Sequence, residues 1–409
     1  MSPTPHEDLL RARAPQVLAA LLRQYGVGQF DVCEDAVQEA LLAAHRQWPE
    51  GGVPDDTFAW LLTAARRRMI DRIRSDHHRR DRERNYVELR HPLSDATVVQ
   101  TDDSVQLLRL CCHPVLTRSA QVALTLRAVA GLTTAQIAHA YLLPEATVAQ
   151  RISRAKARIR AEGAGFPPPL GPGDRLDPVL DVVYVMFTEG HTSSAGHDAN
   201  DLRLSDEAIR LAGLLHAELP DQVEVAGLLA LMMLTDARRA ARTDANGALI
   251  PLDEQDRSLW DRDAIREATD LLDTALVQAA PSAPGPFAIQ AAIAALHDEA
   301  PSTETTDWPQ ILALYRLLEQ TSGNPIATLN RAVAEAMVHG PEAGLATVDA
   351  LTGSGEIPDR RRLSSVRAHL LERAGRSAEA VDEYRDAAGL TLSIPERDYL
   401  LARARRLDG

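Results

Sequence analysis

LTTAQIAHAYLLPEATVAQRISRAKARIR, residues 132–160, reads as a helix, a short turn and a second helix. Thr133 or Thr134 can cap the first helix, because a hydroxyl there accepts from an orphan backbone N–H. Ile137 and Ala138 supply its buried face, and Tyr141, Leu142 and Leu143 carry the turn. Pro144 suits the first position of the next helix, where no backbone donor is needed. Val148, Ile152, Ala155 and Ile159 recur at three or four residues and share one buried face. The other faces show Thr147, Gln150, Arg151, Arg154, Lys156, Arg158 and Arg160. Hydrogen-bonding side chains near the start of a helix suit base edges in a major groove, and cations further along suit phosphates. A solvated amphipathic helix would show the same basic face.

A chain of 409 residues implies two or three domains. With 4% aromatic residues, the core must be built from small aliphatic side chains on packed helices, so the fold class is all-α. No run approaches the twenty apolar residues that span a bilayer, and no secretory signal is visible, so a cytoplasmic protein without a membrane partner is expected. Three cysteines, Cys33, Cys111 and Cys112, fit a reducing compartment. Cys111, Cys112 and His113 lack a second ligand pair at zinc spacing, which favours a buried helix end over a metal site. The net charge of −14 is unevenly spread. Residues 1–165 hold 22 Lys/Arg against 19 Asp/Glu, net +3; residues 166–409 hold 22 against 39, net −17. An acidic module is therefore joined to a half with basic patches.

Before the helix-turn-helix lie three further helical patterns. The first covers residues 5–25. Asp31 can cap the second, which runs from Val32 to Trp48 and turns Ala36, Val37, Ala40, Leu41 and Ala44 inward. Pro49 to Asp56 breaks the pattern with two prolines and two glycines. The third starts near Thr57 and buries Phe58, Leu61, Leu62, Ala65, Met69, Ile70 and Ile73. Between Arg66 and Arg84 it carries nine arginines against four acids, with His77 and His78 among them. Such a density calls for a counter-charge, and a phosphate backbone is the usual one. Arg66 to Ser75 are expected to bind, and Asp76 to about Ser94 to connect. Trp48 and Trp60 are candidate stacking surfaces for an unstacked base, although Trp60 sits beside Phe58 and Leu61 and fits the core better.

In this order, EDAVQEA, WLLTAARRRMIDRIR, a linker and a terminal helix-turn-helix resemble the extracytoplasmic-function sigma factors of bacteria, over residues 5–162. The resemblance implies a region 2 helical bundle in residues 1–84, a linker at 85–103 and a region 4 helix-turn-helix in 104–162. It implies core RNA polymerase and promoter DNA as partners. Asp35, Gln38, Glu39 and Leu42 would then dock on the polymerase. Arg66, Arg67, Arg72 and Arg74 would line the melted minus-ten strand. Thr147, Gln150, Arg151, Arg154 and Lys156 would engage the minus-thirty-five element. Two positions depart from the family pattern: the turn lacks glycine, and Ala149 stands where a basic residue is common.

GAGFPPPLGPGD, residues 163–174, marks a linker, and residues 175–409 stay helical and acidic. Helices are expected at 205–219 and 223–241, a polar loop at 189–198, and ion-pair networks around Asp236, Arg238, Arg239 and Arg242 and again around Asp253, Asp256, Arg257 and Trp260. Ala334 and Ala368 lie 34 apart, Gly340 and Gly375 lie 35 apart, and RAHLLERAGRSAEAVDEYRDA matches a tetratricopeptide (TPR) helix pair. A helical-repeat module with a concave face for a regulatory protein follows. It is similar to the C-terminal extension of one branch of these sigma factors, which is tied to control of activity. Glu189, His191, His197 and Asp198 are the strongest candidates for a metal or acid–base cluster, but they lack the spacing of a zinc helix, and surface loop residues are expected. No catalytic residue, cofactor or metal is expected, and the chain is not read as an enzyme. An autonomous helix-turn-helix regulator with a sensing module is the alternative; residues 31–75 weigh against it, since such a regulator has no use for them.

Overall fold

The computed structural model describes residues 5–81, 102–141, 143–171, 176–192, 195–196, 202–245, 247–279, 283–355 and 359–409. Residues 85–101 of the expected 85–103 linker and the residues Leu142, His197 and Asp198 lie outside them, as do the side chains of Ile73, His77 and His78. Eighteen α-helices among the described residues confirm the all-α class. They fall into two compact units, residues 1–138 with 143–182, and residues 139–142 with 183–409.

In the first unit, α1 (Pro5–Tyr25), α2 (Phe30–Gly51) and α3 (Thr57–Asp81) pack as a bundle. Their shared core holds Val17, Leu21 and Leu22, then Phe30, Cys33, Val37 and Trp48, then Leu61, Leu62 and Met69, all buried. Gly26, at φ 85°, ends α1 and allows a single tight turn before α2. The second helix starts earlier and ends later than expected. Asp31 lies inside it rather than capping it, and Pro49 is absorbed into its last turn, which Gly52 closes at φ 83°. The bond from Gly52 N to Trp48 O, 2.9 Å, keeps the helix closed past Pro49, whose missing N–H leaves this last turn one donor short. Asp56 caps α3 by accepting from Ala59 N at 2.9 Å.

Helices α4 (Ser104–Cys111), α5 (Arg118–Ala128), α6 (Thr134–Ala140) and α7 (Glu145–Ala161) follow. Leu107, Leu108, Leu110, Leu124, Leu126, Ile137, Val148, Ile152 and Ile159 form their core. Thr133 is the capping residue: its hydroxyl accepts from Gln136 N at 3.1 Å, while Gln136 Oε1 accepts from Thr133 N at 2.9 Å. This reciprocal pair satisfies two orphan donors at once. Pro144 sits one place earlier than expected, as the extended residue before α7. The glycine-proline stretch is tied back to this unit: Arg109 donates to Pro168 O at 2.5 Å, and Arg118 pairs with Asp181 at 2.8 Å. The division between units therefore falls inside α8 (Asp177–His191), beyond the linker that composition marks.

The second unit continues through α9 (Leu202–Glu218), α10 (Val223–Asp236), α11 (Arg262–Ala279), α12 (Pro286–Glu299) and α13 (Trp308–Ser322). It ends with α14 (Pro325–His339), α15 (Pro341–Ser354), α16 (Arg360–Arg373), α17 (Ser377–Leu390) and α18 (Ile394–Asp408). Gly340 and Gly375, at φ 93° and 73°, turn α14 into α15 and α16 into α17, so the 35-residue spacing is that of two stacked helix pairs. One core runs through both pairs, from Leu329 and Val348 to Leu371, Tyr384 and Leu400. The tenth helix stops at Asp236 rather than 241, and a tight turn and a short hairpin replace its end. A two-residue parallel pairing, Ala195–Gly196 with Leu392–Ser393, is the one strand pairing in a named sheet among the described residues.

Helices meet closely where side chains are smallest. A Cβ placed on Gly227 of α10 would stand 2.6 Å from the Ala288 backbone of α12. Backbone atoms cannot move aside as a flexible side chain would. We expect Gly227→Ala to destabilise the protein by about 1–3 kcal/mol, typical of overpacking. A lowered urea midpoint checks this; an unchanged midpoint would show that α10 and α12 separate freely.

Candidate nucleic-acid interface

The fold sorts α7 into two faces. Val148, Ile152, Ala155 and Ile159 are buried, as their spacing requires. Thr147, Gln150, Arg154 and Arg158 are exposed, and Arg151 is half-buried. Neither Arg151 nor Arg154 has an ion-pair partner among the described residues. Arg151, Arg154 and Arg158 therefore stand without an ion-pair partner among the described residues along a helix whose first two turns carry Thr147 and Gln150.

Lys156 is placed differently. It is the only lysine in the chain. Its side chain is 10% exposed and lies between Asp31, at 3.2 Å, and Glu34 of α2. The ammonium also stands 5.2 Å from the centre of the Phe30 ring, a cation–π distance. Arg160 pairs with Asp31 at 2.7 Å, and Arg127 of α5 pairs with Glu34 at 3.0 Å. Two carboxylates of the first bundle thus hold three cations of the helix-turn-helix half. Partial burial alone would raise the Asp31 carboxyl, but the bonds from Arg160 and Lys156 bring it below the ordinary value. Asp31, Glu34 and Arg127 were not among the site residues that the sequence suggested. Their one signal is the doubled acid Glu34–Asp35: Asp35 is exposed, while Glu34 is turned inward.

The outer edge of α2 presents Asp35, Gln38, Glu39 and Leu42, all exposed, with Leu42 at 55%. Asp35 and Glu39 face the arginines of α3: Arg72 lies 4.0 Å from Asp35, and Arg68 lies 3.2 Å from Glu39. Such exposed pairs contribute little, typically ~0–1 kcal/mol, and a competing partner can exchange them readily. Arg66 is half-buried and donates to Gln24 at 2.9 Å. Arg67 and Arg74 are exposed and have no ion-pair partner among the described residues. A cavity of about 630 Å³ opens between α2 and α3, lined by Gln47, Pro54, Trp60, Thr63, Arg67 and Asp71. Trp48 is buried and cannot stack on a base; it supports the half-buried Trp60 in an edge-to-face contact at 5.5 Å. A second cavity, about 280 Å³, has Gln38 and Leu42 on one wall and Arg127 and Thr133 on the other.

Other candidate residues resolve into structural roles. Cys111 and Cys112 close α4 inside the core, and burial pushes the Cys112 thiol up to about 12. Among the described residues no group of three His, Cys, Asp or Glu side chains is arranged for a metal. Glu189 and His191 belong to α8 rather than to a loop, and His191 is buried, with its ring stacked on Phe187 at 5.2 Å. In the first proposed network, Arg239 bridges Asp206 and Asp236, at 2.5 and 2.6 Å, while Arg238 reaches Asp298 at 3.2 Å. The second is built otherwise than expected: Arg257 donates to the carbonyls of His297 and Ala300 and covers the Trp260 ring, rather than pairing with Asp253 or Asp256. No helix among the described residues is long and apolar enough to cross a membrane.

Comparison with known proteins agrees with this layout. Residues 9–80 match sigma-70 region 2, and residues 110–159 match sigma-70 region 4. Residues 175–276 match a family of unknown function, DUF6596. The chain is 40% identical to the uncharacterized protein R00370 of Rhizobium meliloti (strain 1021), over 96% of this chain and 93% of that one. No solved structure matches. Both sigma-70 regions, in order and ahead of a helical C-terminal extension, place the chain in the sigma-70 family as an extracytoplasmic-function-like sigma factor.

Proposed function

We propose that the chain directs core RNA polymerase to a particular class of promoters and that its C-terminal module controls this activity. The observation that carries the reading is the pairing of two surfaces in one chain. One is the uncompensated cationic face of α7; the other is the edge of α2 beside the arginines and cavity of α3. In this reading Asp35, Gln38, Glu39 and Leu42 dock on polymerase. Arg66, Arg67, Arg72 and Arg74 follow the backbone of the opened strand, and the cavity beside Trp60 receives an unstacked base, for which cations and a flat side chain are the fitting chemistry. Thr147, Gln150, Arg151 and Arg154 read the upstream element.

The ion-pair cluster adds a resting state to this scheme. With Asp31 and Glu34 holding Lys156 and Arg160, part of the cationic surface of α7 is occupied by the chain itself. Engaging a phosphate backbone with those two residues requires the cluster to open. Regulation by the C-terminal module fits its charge, −17 over residues 166–409, and its stacked helix pairs, an architecture that commonly serves partner binding.

Run-off transcription with purified core polymerase tests the function. The full chain is expected to support initiation from its own promoter, and a chain ending at Gly171 is expected to initiate more weakly. Promoter binding that needs no polymerase, with no transcript, would indicate a free-standing regulator instead. Arg151→Ala is expected to cost ~1–3 kcal/mol of discrimination at one upstream base pair; unchanged promoter preference in competition binding would remove Arg151 from the reading surface. Glu34→Gln is expected to raise promoter affinity about tenfold, the ~1.4 kcal/mol of one charge-assisted bond. Equal or weaker binding would show that the cluster does not oppose DNA engagement.

A further inference from the structure

Arg242 of the C-terminal unit is a half-buried guanidinium with no carboxylate in ion-pair range among the described residues. Its donors go to neutral acceptors, the His191 carbonyl and the Thr192 hydroxyl, the latter at 2.9 Å. The nearby acids make their close contacts elsewhere, and Asp236 acts on Arg242 only through space. Asp206 and Asp236 are taken by Arg239. Asp298, fully buried, pairs with Arg238. Burial, reinforced by the charge of Arg238, lowers Arg242 to about 10, still charged at neutral pH. His191 adds no charge, because burial and the neighbouring arginines hold it near 2. A half-buried guanidinium whose contacting partners are neutral keeps donors for an incoming anion.

Arg242 lines a cavity of about 400 Å³. The short hairpin that follows it folds back, with Ile250 N donating to Arg242 O at 2.8 Å, so that Leu249 and Ile250 form an apolar wall. Tyr399 and Glu396 of α18 close another side, together with Gln255. Glu396 is engaged by Arg361 and by the Thr391 hydroxyl. Arg238 also lines the cavity and is paired with Asp298, so Arg242 is the lining cation without a carboxylate in contact among the described residues. The volume exceeds that of a bare ion, and the walls are apolar on one side.

We propose that this cavity binds a small organic carboxylate: the carboxylate meets the planar fork of Arg242, and an apolar body lies against Leu249 and Ile250. Guanidinium and carboxylate match in shape and form two parallel bonds. A dianionic phosphate would leave excess negative charge beside Glu396. An apolar wall facing a few convergent polar groups is a usual feature of a small-ligand site. This assignment concerns the C-terminal unit alone and stands whether or not the promoter reading holds.

The test is thermal unfolding of the full-length protein in titrations with benzoate and hexanoate, at constant ionic strength balanced with chloride. A ligand that binds only the folded state raises the midpoint saturably. Both carboxylates are expected to do so, and inorganic phosphate is not. Arg242→Gln is expected to weaken binding at least tenfold. Ile250→Glu, which supplies an internal carboxylate and leaves the hairpin backbone bonds in place, is expected to fold and to lose the response, and it serves if Arg242→Gln does not fold. The proposal is overturned if neither carboxylate gives a saturable shift, if phosphate gives an equal one, or if either folded variant binds as the parent does.

Discussion

Helices that bury alanine in place of aromatic side chains must approach one another closely, and that constraint runs through both units. In the first, Ala36, Ala40, Ala44 and Ala65 occupy the seams between α1, α2 and α3. In the second, Gly227 lets α10 rest on the Ala288 backbone, and Gly344 lets α15 rest on the Ala332 carbonyl. Close seams leave little room for side-chain adjustment, because packed interiors are as dense as organic crystals. Positions on the outer faces are then held rigidly by the inner ones. The orientation of α7, and with it the direction of every cation on its outer side, follows from four buried residues.

Charge is distributed on that frame according to burial. Exposed pairs such as Arg68–Glu39 are weak and exchangeable. The Glu34–Lys156 pair is sheltered, its two side chains 13% and 10% exposed, and solvent screens it less. One helix, α2, therefore carries a loose outer edge against α3 and a firm contact with α7. A polymerase or DNA surface can displace the first kind cheaply and the second only with substantial compensation.

Much of this was legible in the residues. The buried stripes of α2, α3 and α7 follow from a three-to-four-residue period, and the repeat turns at Gly340 and Gly375 from their spacing. Helix ends were less legible. Asp31 resembles a capping residue in sequence but lies inside α2, because Phe30 before it is buried and the bundle extends the helix backward. Pro49 resembles a break but lies two residues from the end of α2, so its missing N–H costs one bond at the terminus and does not interrupt the helix. His191 looked like a loop residue, yet the apolar face of α8 continues through Phe187 and carries it into the interior.

The sequence by itself determined the helical class, the order of the two sigma regions and the acidic module, and the side of α7 that faces outward. These depend on periodicity and composition, which are local. Tertiary structure alone decided which charges meet. Lys156 and Arg154 are two residues apart on one cationic helix; one lies against Asp31 and Glu34, 125 and 122 residues away in the chain, and the other stands in solvent. Arg239 and Arg242 are three residues apart, and among the described residues only the first has carboxylates in contact. Partners so distant along the chain leave no periodic trace. Whether an arginine is neutralised or left to meet a ligand is set by which helix the fold lays beside it.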